Sequence, residues 1–221
     1  MKADDRARLH AMLAQGARQL PLSVSEAAIA RLLDYLGLLV KWNAVYNLTA
    51  VREPAQMVTQ HLLDSLSAAP AFAGARNVLD VGAGGGLPGI VLAIWAAEAA
   101  PEMRITMIDT VHKKTAFLTQ VKAELGLDNV QVQTGRVEQW QAPHPFDLIT
   151  SRAFADLADF VGWSAHLLAP GGRFVALKGV TPTAEIAGLT KGWKVTEVRA
   201  LQVPGSPAER HLVLIEREKK P

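Results

Sequence analysis

The chain has 221 residues, is 49% hydrophobic and carries a formal net charge of +2. That length and apolar fraction suit one substantial α/β domain with an accessory segment, and a charge this mild does not by itself imply nucleic acid. It contains 0 cysteines, which excludes disulfides, cysteine-ligated zinc, iron–sulfur clusters and a thiolate nucleophile.

The first seventy residues read as helical. Leu9, Met12 and Leu13, then Ile29, Leu32, Leu33 and Leu36, recur at helical spacing. Ser23 or Ser25 can cap the second helix, and Pro54 can start a third carrying Met57, His61, Leu62 and Ser65. From Asn77 strands alternate with helices. The expected strands are Val78–Val81, Arg104–Ile108, Val130–Gln133, Asp147–Thr150 and Gly172–Leu177. The expected helices are Leu87–Glu98, Lys113–Leu125 and Asp156–Leu168. Such alternation implies a parallel sheet with right-handed crossovers. Trp193–Val203 and Arg210–Glu216 read as a closing antiparallel pair around the turn Pro204-Gly205-Ser206-Pro207. The tail EREKKP reads as a frayed end. Trp42, Trp95 and Trp163 stand in apolar contexts and read as core. The division expected is a helical cap over 1–75 and an α/β domain over 76–221. No apolar run reaches about 18 residues and the charged opening MKADDRARLH lacks an apolar signal region, so a cytoplasmic protein without a membrane span is expected.

The stretch VLDVGAGGGLPGI, from Val78 to Ile90, reads as a buried strand, a glycine-rich turn and a helix start. Glycine there lets backbone pass close to a ligand, and the free N–H groups of the helix point at the turn. A dinucleotide site wants Gly-x-Gly-x-x-Gly. Here Leu87 stands where the third glycine would be, and Asp80 would repel a pyrophosphate. The pattern Asp80-x-Gly82-x-Gly84-x-Gly86 resembles the first motif of class I S-adenosylmethionine methyltransferases, in which the acid bonds around the cationic methionine end.

Later strand ends add candidates. Asp109 ends the second strand and can accept bonds from both ribose hydroxyls of an adenosine, or else cap the next helix. Gly135-Arg136-Val137-Glu138 follows the third strand: Val137 can cover an adenine face while backbone at Val137 and Glu138 reaches its edge, or the segment is a surface turn. Ser151-Arg152-Ala153-Phe154-Ala155 follows the fourth strand. Arg152 can meet a carboxylate, a substrate or a phosphate, or form a surface ion pair with Asp156. His61 and Asp64 share a helix face and read as structural capping, not as a metal site. No metal is expected anywhere in the chain.

Nearly the whole chain is similar to the RsmG family, also called glucose-inhibited division protein B. The motifs that carry the likeness are KWNAVYNLTAV, HLLDSL, DVGAGGGLPG, RVEQW, SRAFADL, ALKG and ERHLVLIE, in the family's order. The resemblance implies a Rossmann-like class I fold, with a mostly parallel seven-stranded sheet, an antiparallel C-terminal strand and an N-terminal helical extension. It implies S-adenosylmethionine as cofactor, S-adenosylhomocysteine as product, and methylation of N7 of a guanine in the decoding-region loop of 16S ribosomal RNA. Carried over position by position, the cofactor residues fall on Gly82, Leu87, Val137, Glu138 and Arg152, and the RNA-binding residues on Lys178 and Arg210. Arg152 is the expected positioning or electrostatic group in catalysis. Guanine N7 presents a lone pair without losing a proton, so no general base is expected. The expected partner is 16S ribosomal RNA or the small-subunit particle, met by a monomer. A methyltransferase acting on a small molecule and a non-catalytic, cofactor-dependent RNA-binding or assembly factor stand as alternatives.

Overall fold

A computed structural model describes residues 3–218. The front of the chain is helical: α1 (Ala3–Ala17), α2 (Glu26–Tyr46), α3 (Pro54–Met57) and α4 (Asp64–Ser67), with a π-helical turn, Val58–Leu63, joining α3 to α4. Ser25, not Ser23, caps α2, its hydroxyl accepting the Ala28 N–H at 3.0 Å. The stripe Ile29, Leu32, Leu33, Leu36 and Leu39 buries one face of α2.

Seven strands follow: β1 (Asn77–Val81), β2 (Arg104–Asp109), β3 (Val130–Thr134), β4 (Phe146–Arg152), β5 (Leu168–Lys178), β6 (Trp193–Ala200) and β7 (His211–Arg217). They form one sheet in the order β3-β2-β1-β4-β5-β7-β6. The first five run parallel, and β7 is antiparallel to both β5 and β6. Between them lie α5 (Gly89–Ala99), α6 (His112–Leu125), α7 (Leu157–Ser164) and the short α8 (Thr183–Ala187).

Strand alternation divides the core in two. Val78, Ile105 and Leu148 pack with α5, α6 and the front helices, which therefore share one core with the sheet. Leu79, Val81, Ile149 and Phe174 pack with Leu157, Phe160 and Val161 of α7. The chain winds outward from β1 to β3 and then returns to place β4 on the other side of β1. The carboxyl ends of β1 and β4 thus flank the topological switch point, where open α/β sheets bind ligands.

Three expectations are corrected. The helix expected over Asp156–Leu168 starts after its cap Asp156 and ends at Ser164, where a 3₁₀ turn, Ala165–Leu167, leads straight into β5 at Leu168. Glu216 and Arg217 of the expected frayed tail belong to β7, paired with β5 and β6, while 219–221 lie outside the described residues. Trp42 and Trp95 are half-buried, but Trp163 is exposed, because it sits on the rim of a hollow. No helix among the described residues is long and apolar enough to cross a membrane.

Candidate active site

The glycine turn leaves β1 and is tied at once to β2: the N–H groups of Gly82 and Ala83 both donate to the Ile108 carbonyl, at 2.9 and 3.1 Å. Gly82 has φ +67°, and a Cβ there would stand 2.3 Å from the Phe154 ring. Gly86 has φ +87°, and a Cβ there would strike Ile90 and Leu118, so this glycine lets α5 and α6 pack.

Asp80 is fully buried on the α5 face of β1. One carboxylate oxygen accepts the Gly89 N–H at 2.9 Å, and the other has no hydrogen-bond partner. Burial raises this carboxyl to about 7, against the opposing pull of the Gly89 bond and Arg152. Asp80 and Gly86 border neither hollow of the switch point; they support the turn from behind.

Two hollows meet at Gly82. The one on the β2 side, about 390 Å³, brings together Asp109, Val137 and Glu138 as the sequence suggested, and adds Phe154 and Trp163. Each Asp109 oxygen accepts one backbone N–H, from Gly84 at 3.0 Å and from Val111 at 2.9 Å. Asp109 therefore stitches the turn to the start of α6, and keeps further lone-pair capacity on each oxygen for a ligand's hydroxyls. Val137 is buried in a 3₁₀ turn, Val137–Gln139.

The hollow on the β4 side, about 490 Å³, gathers Gly84, Leu87, Arg152, Lys178 and Arg210. Ala153, at φ +52°, splits its neighbours, sending Arg152 to this hollow and Phe154 to the other. A left-handed alanine is a strained conformation, held here by its surroundings.

The charges on this side differ from both local readings of the sequence. Arg152 does not pair with Asp156, which caps α7; its Nη1 donates to Asp64 Oδ2 at 3.0 Å and to the Gln60 carbonyl at 3.1 Å. Arg210, brought over by the final hairpin, donates from Nε to Asp64 Oδ1 at 2.8 Å. Asp64 therefore does not serve as a helix cap. Lys178 donates to Glu185 at 2.7 Å and to the Ala155 carbonyl at 3.0 Å.

His61 lies beside these arginines. Burial first, then Arg152, lower its pKa to about 4, so it is neutral at pH 7. Its Nδ1 lies 2.9 Å from the Gln60 carbonyl, which can only accept, and 3.5 Å from Arg152 Nη2, which can only donate; the shorter contact places the proton on Nδ1, so Nε2 accepts from Thr49 Oγ1 at 2.8 Å. Thr49 is placed by Asn43, whose Oδ1 accepts its N–H at 2.9 Å, and Asn43 Nδ2 donates to the Val51 carbonyl at 3.1 Å. Asn47 closes α2 in the left-handed conformation. The segments KWNAVYNLTAV and HLLDSL thus build one wall of the hollow. Their polar residues were visible in the sequence, but local spacing gave them no partner. Nothing local marked Trp163 as a rim residue.

A family model described as rRNA small subunit methyltransferase G matches residues 28–213. The chain belongs to that family. The ribosomal RNA small subunit methyltransferase G of Janthinobacterium sp. (strain Marseille) is 74% identical over 98% of this chain and 99% of its own length. Among solved structures, the glycopeptide N-methyltransferase MtfA superposes with a TM-score of 0.61 at 14% identity, covering 75% of this chain and all of its own. The N-methyltransferase NodS from Bradyrhizobium japonicum WM9, in complex with S-adenosylhomocysteine, gives a TM-score of 0.56 at 16% identity over 81% of this chain and 100% of its own. These likenesses show the class I methyltransferase fold. In this member of the methyltransferase G family, both hollows lie at the sheet's carboxyl edge, on either side of the glycine turn.

Proposed function

We propose that this protein transfers the methyl group of S-adenosylmethionine to N7 of a guanine in the decoding-region loop of 16S ribosomal RNA. The observation that carries the reading is the pair of hollows joined at Gly82 in a chain of the methyltransferase G family. One offers the Asp109 carboxylate, with Lys114 Nζ 3.7 Å from it, and an apolar face at Val137; the other is bordered by Arg152, Lys178 and Arg210.

The residues present fit the cofactor. Gly82 offers backbone without a Cβ, Asp109 retains acceptor capacity for ribose hydroxyls, and Val137 offers an apolar face for adenine. A ligand spanning both hollows passes Gly82, where the Phe154 ring now lies. When bound, the cofactor supplies a methyl group activated on a sulfonium. Guanine N7 needs no deprotonation before attack, so the task left to the protein is alignment and electrostatic support. Arg152 stands at the border of both tasks, at the end of β4. Neutral His61 is an oriented hydrogen-bonding group in the wall, and the reaction asks no base of it. Lys178 and Arg210 hold RNA phosphates and so place the loop. The front helices, up to residue 75, form the cap that completes the β4-side hollow. The protein acts as a monomer, in the cytoplasm, on the RNA or the small-subunit particle.

The test is methyl transfer from labelled S-adenosylmethionine to deproteinised 16S RNA and to intact small subunits, followed by nucleoside analysis. The expected product is 7-methylguanosine in at least one of the two. Label in another nucleoside, or none in RNA, would overturn the reading.

A further inference from the structure

Asp64 is almost wholly buried, its side chain 3% exposed, while those of Arg152 and Arg210 are 20% and 26% exposed. Its two oxygens are divided between the arginines, Oδ1 to Arg210 Nε and Oδ2 to Arg152 Nη1. Arg152 and Arg210 lie 88 and 146 residues away in the chain, respectively. We propose that Asp64 is a positioning residue that holds Arg152 and Arg210 as a paired-guanidinium site for a phosphate of the bound RNA. This rests on the RNA reading above and deepens it.

Two guanidinium groups brought to one wall repel each other, and a carboxylate between them offsets that repulsion and sets their orientation. The support beneath it is firm. Asp64 follows the π-helical turn, and Leu62, Leu63 and Leu66 around it are buried. Neither arginine has used all its donors. Arg152 gives Nη1 to Asp64 and the Gln60 carbonyl; Nη2 lies 3.5 Å from His61 Nδ1, which carries a proton and accepts nothing, so Nε and Nη2 keep their donors. Arg210 gives Nε to Asp64 and Nη1 to the Glu209 carbonyl, leaving Nη2. A guanidinium has five N–H donors, so both keep donors for an oxyanion. The trio carries one net positive charge, and the neighbouring His61 is neutral, so an anion is the ligand this arrangement favours.

The test uses the full chain with small ribosomal subunits and labelled cofactor, comparing wild type with Asp64→Asn and Arg210→Lys. Counting charges alone says that Asp64→Asn, with one negative charge fewer, binds RNA more tightly. Positioning gives the opposite sign: weaker RNA binding, a raised KM and a lowered kcat, together about tenfold or more in kcat/KM. Arg210→Lys keeps the charge but lacks the Nε that meets Asp64. It is expected to lose activity likewise, with the salt dependence of RNA binding unchanged. Circular dichroism and a thermal melt close to those of wild type report that each variant is folded; where Asp64→Asn is not, Arg210→Lys decides. Wild-type kinetics in Arg210→Lys, or equal or tighter RNA binding with unchanged turnover in Asp64→Asn, overturns the proposal while leaving the functional reading intact. No methyl transfer to RNA by the wild type overturns both.

Discussion

The Tyr35 hydroxyl donates to the Gly85 carbonyl at 2.6 Å, joining α2 to the middle of the glycine turn. The ring is fully buried and packs near Phe117 of α6, and burial pushes the phenol far above its ordinary pKa, so it remains a donor. The helical front is thereby fastened to the glycine turn at the edge of the α/β sheet.

Tyr35→Phe removes that donor and leaves a carbonyl without its partner. A loss of roughly 1–3 kcal/mol in stability is expected, with weaker cofactor binding because the turn is no longer pinned. Urea denaturation and calorimetry with S-adenosylhomocysteine check this. Wild-type values in both would show that the bond holds nothing.

Gly82→Val is expected to abolish cofactor binding in a protein that still folds. Its Cβ would meet the Phe154 ring 2.3 Å away, and φ +67° is poorly suited to a β-branched residue. The Phe154 loop can give way to the new side chain, but the close approach of ligand to backbone is then blocked. Near-normal calorimetric affinity would remove Gly82 from the cradle.

Asp80 gives stability a pH dependence of defined sign. Its folded pKa, raised to about 7 from 3.8, means the folded chain binds this proton more tightly than the unfolded one. Its contribution is full below about pH 4 and is lost as pH rises through about 7. His61 acts in the reverse sense: its pKa is lowered to about 4 from 6.5, so its contribution is present above 6.5 and lost as pH falls. Comparing Asp80→Asn with wild type isolates the first. The variant is expected to gain stability relative to wild type between pH 5 and pH 8, by an amount on the order of a few kcal/mol. A difference that stays flat across denaturation curves at several pH values would contradict the assignment.

Lys178 and Arg210 border the same hollow, each already paired with an acid. Changing both to Ala is expected to leave S-adenosylhomocysteine affinity nearly unchanged and to weaken RNA binding. The plot of log affinity against log salt should become shallower by about 0.7 for every phosphate that is no longer neutralised. Titrations at several salt concentrations decide it, and identical slopes and affinities would take these side chains out of the RNA interface.

The sequence by itself determined the elements and the turn. Period-two and period-3.6 patterns depend on neighbours a few residues apart, and so do the serine cap of α2, read as Ser23 or Ser25, and the glycines after β1. Strand–helix alternation then implied the parallel sheet, and ligand-bearing loops were expected at its carboxyl edge. Asp109, Val137 and Glu138 were found together for that reason, each lying at or just beyond the end of its own strand. The tertiary structure alone decided which charges face one another. Arg152 lies four residues from Asp156 yet bonds to Asp64, because the sheet order and the final hairpin bring β4, β7 and the π-helical turn to one wall. It also decided that Asp80 sits behind the turn and Trp163 on a rim. Burial and ion pairing are set by the packing of elements distant in the chain, and local spacing carries no record of them.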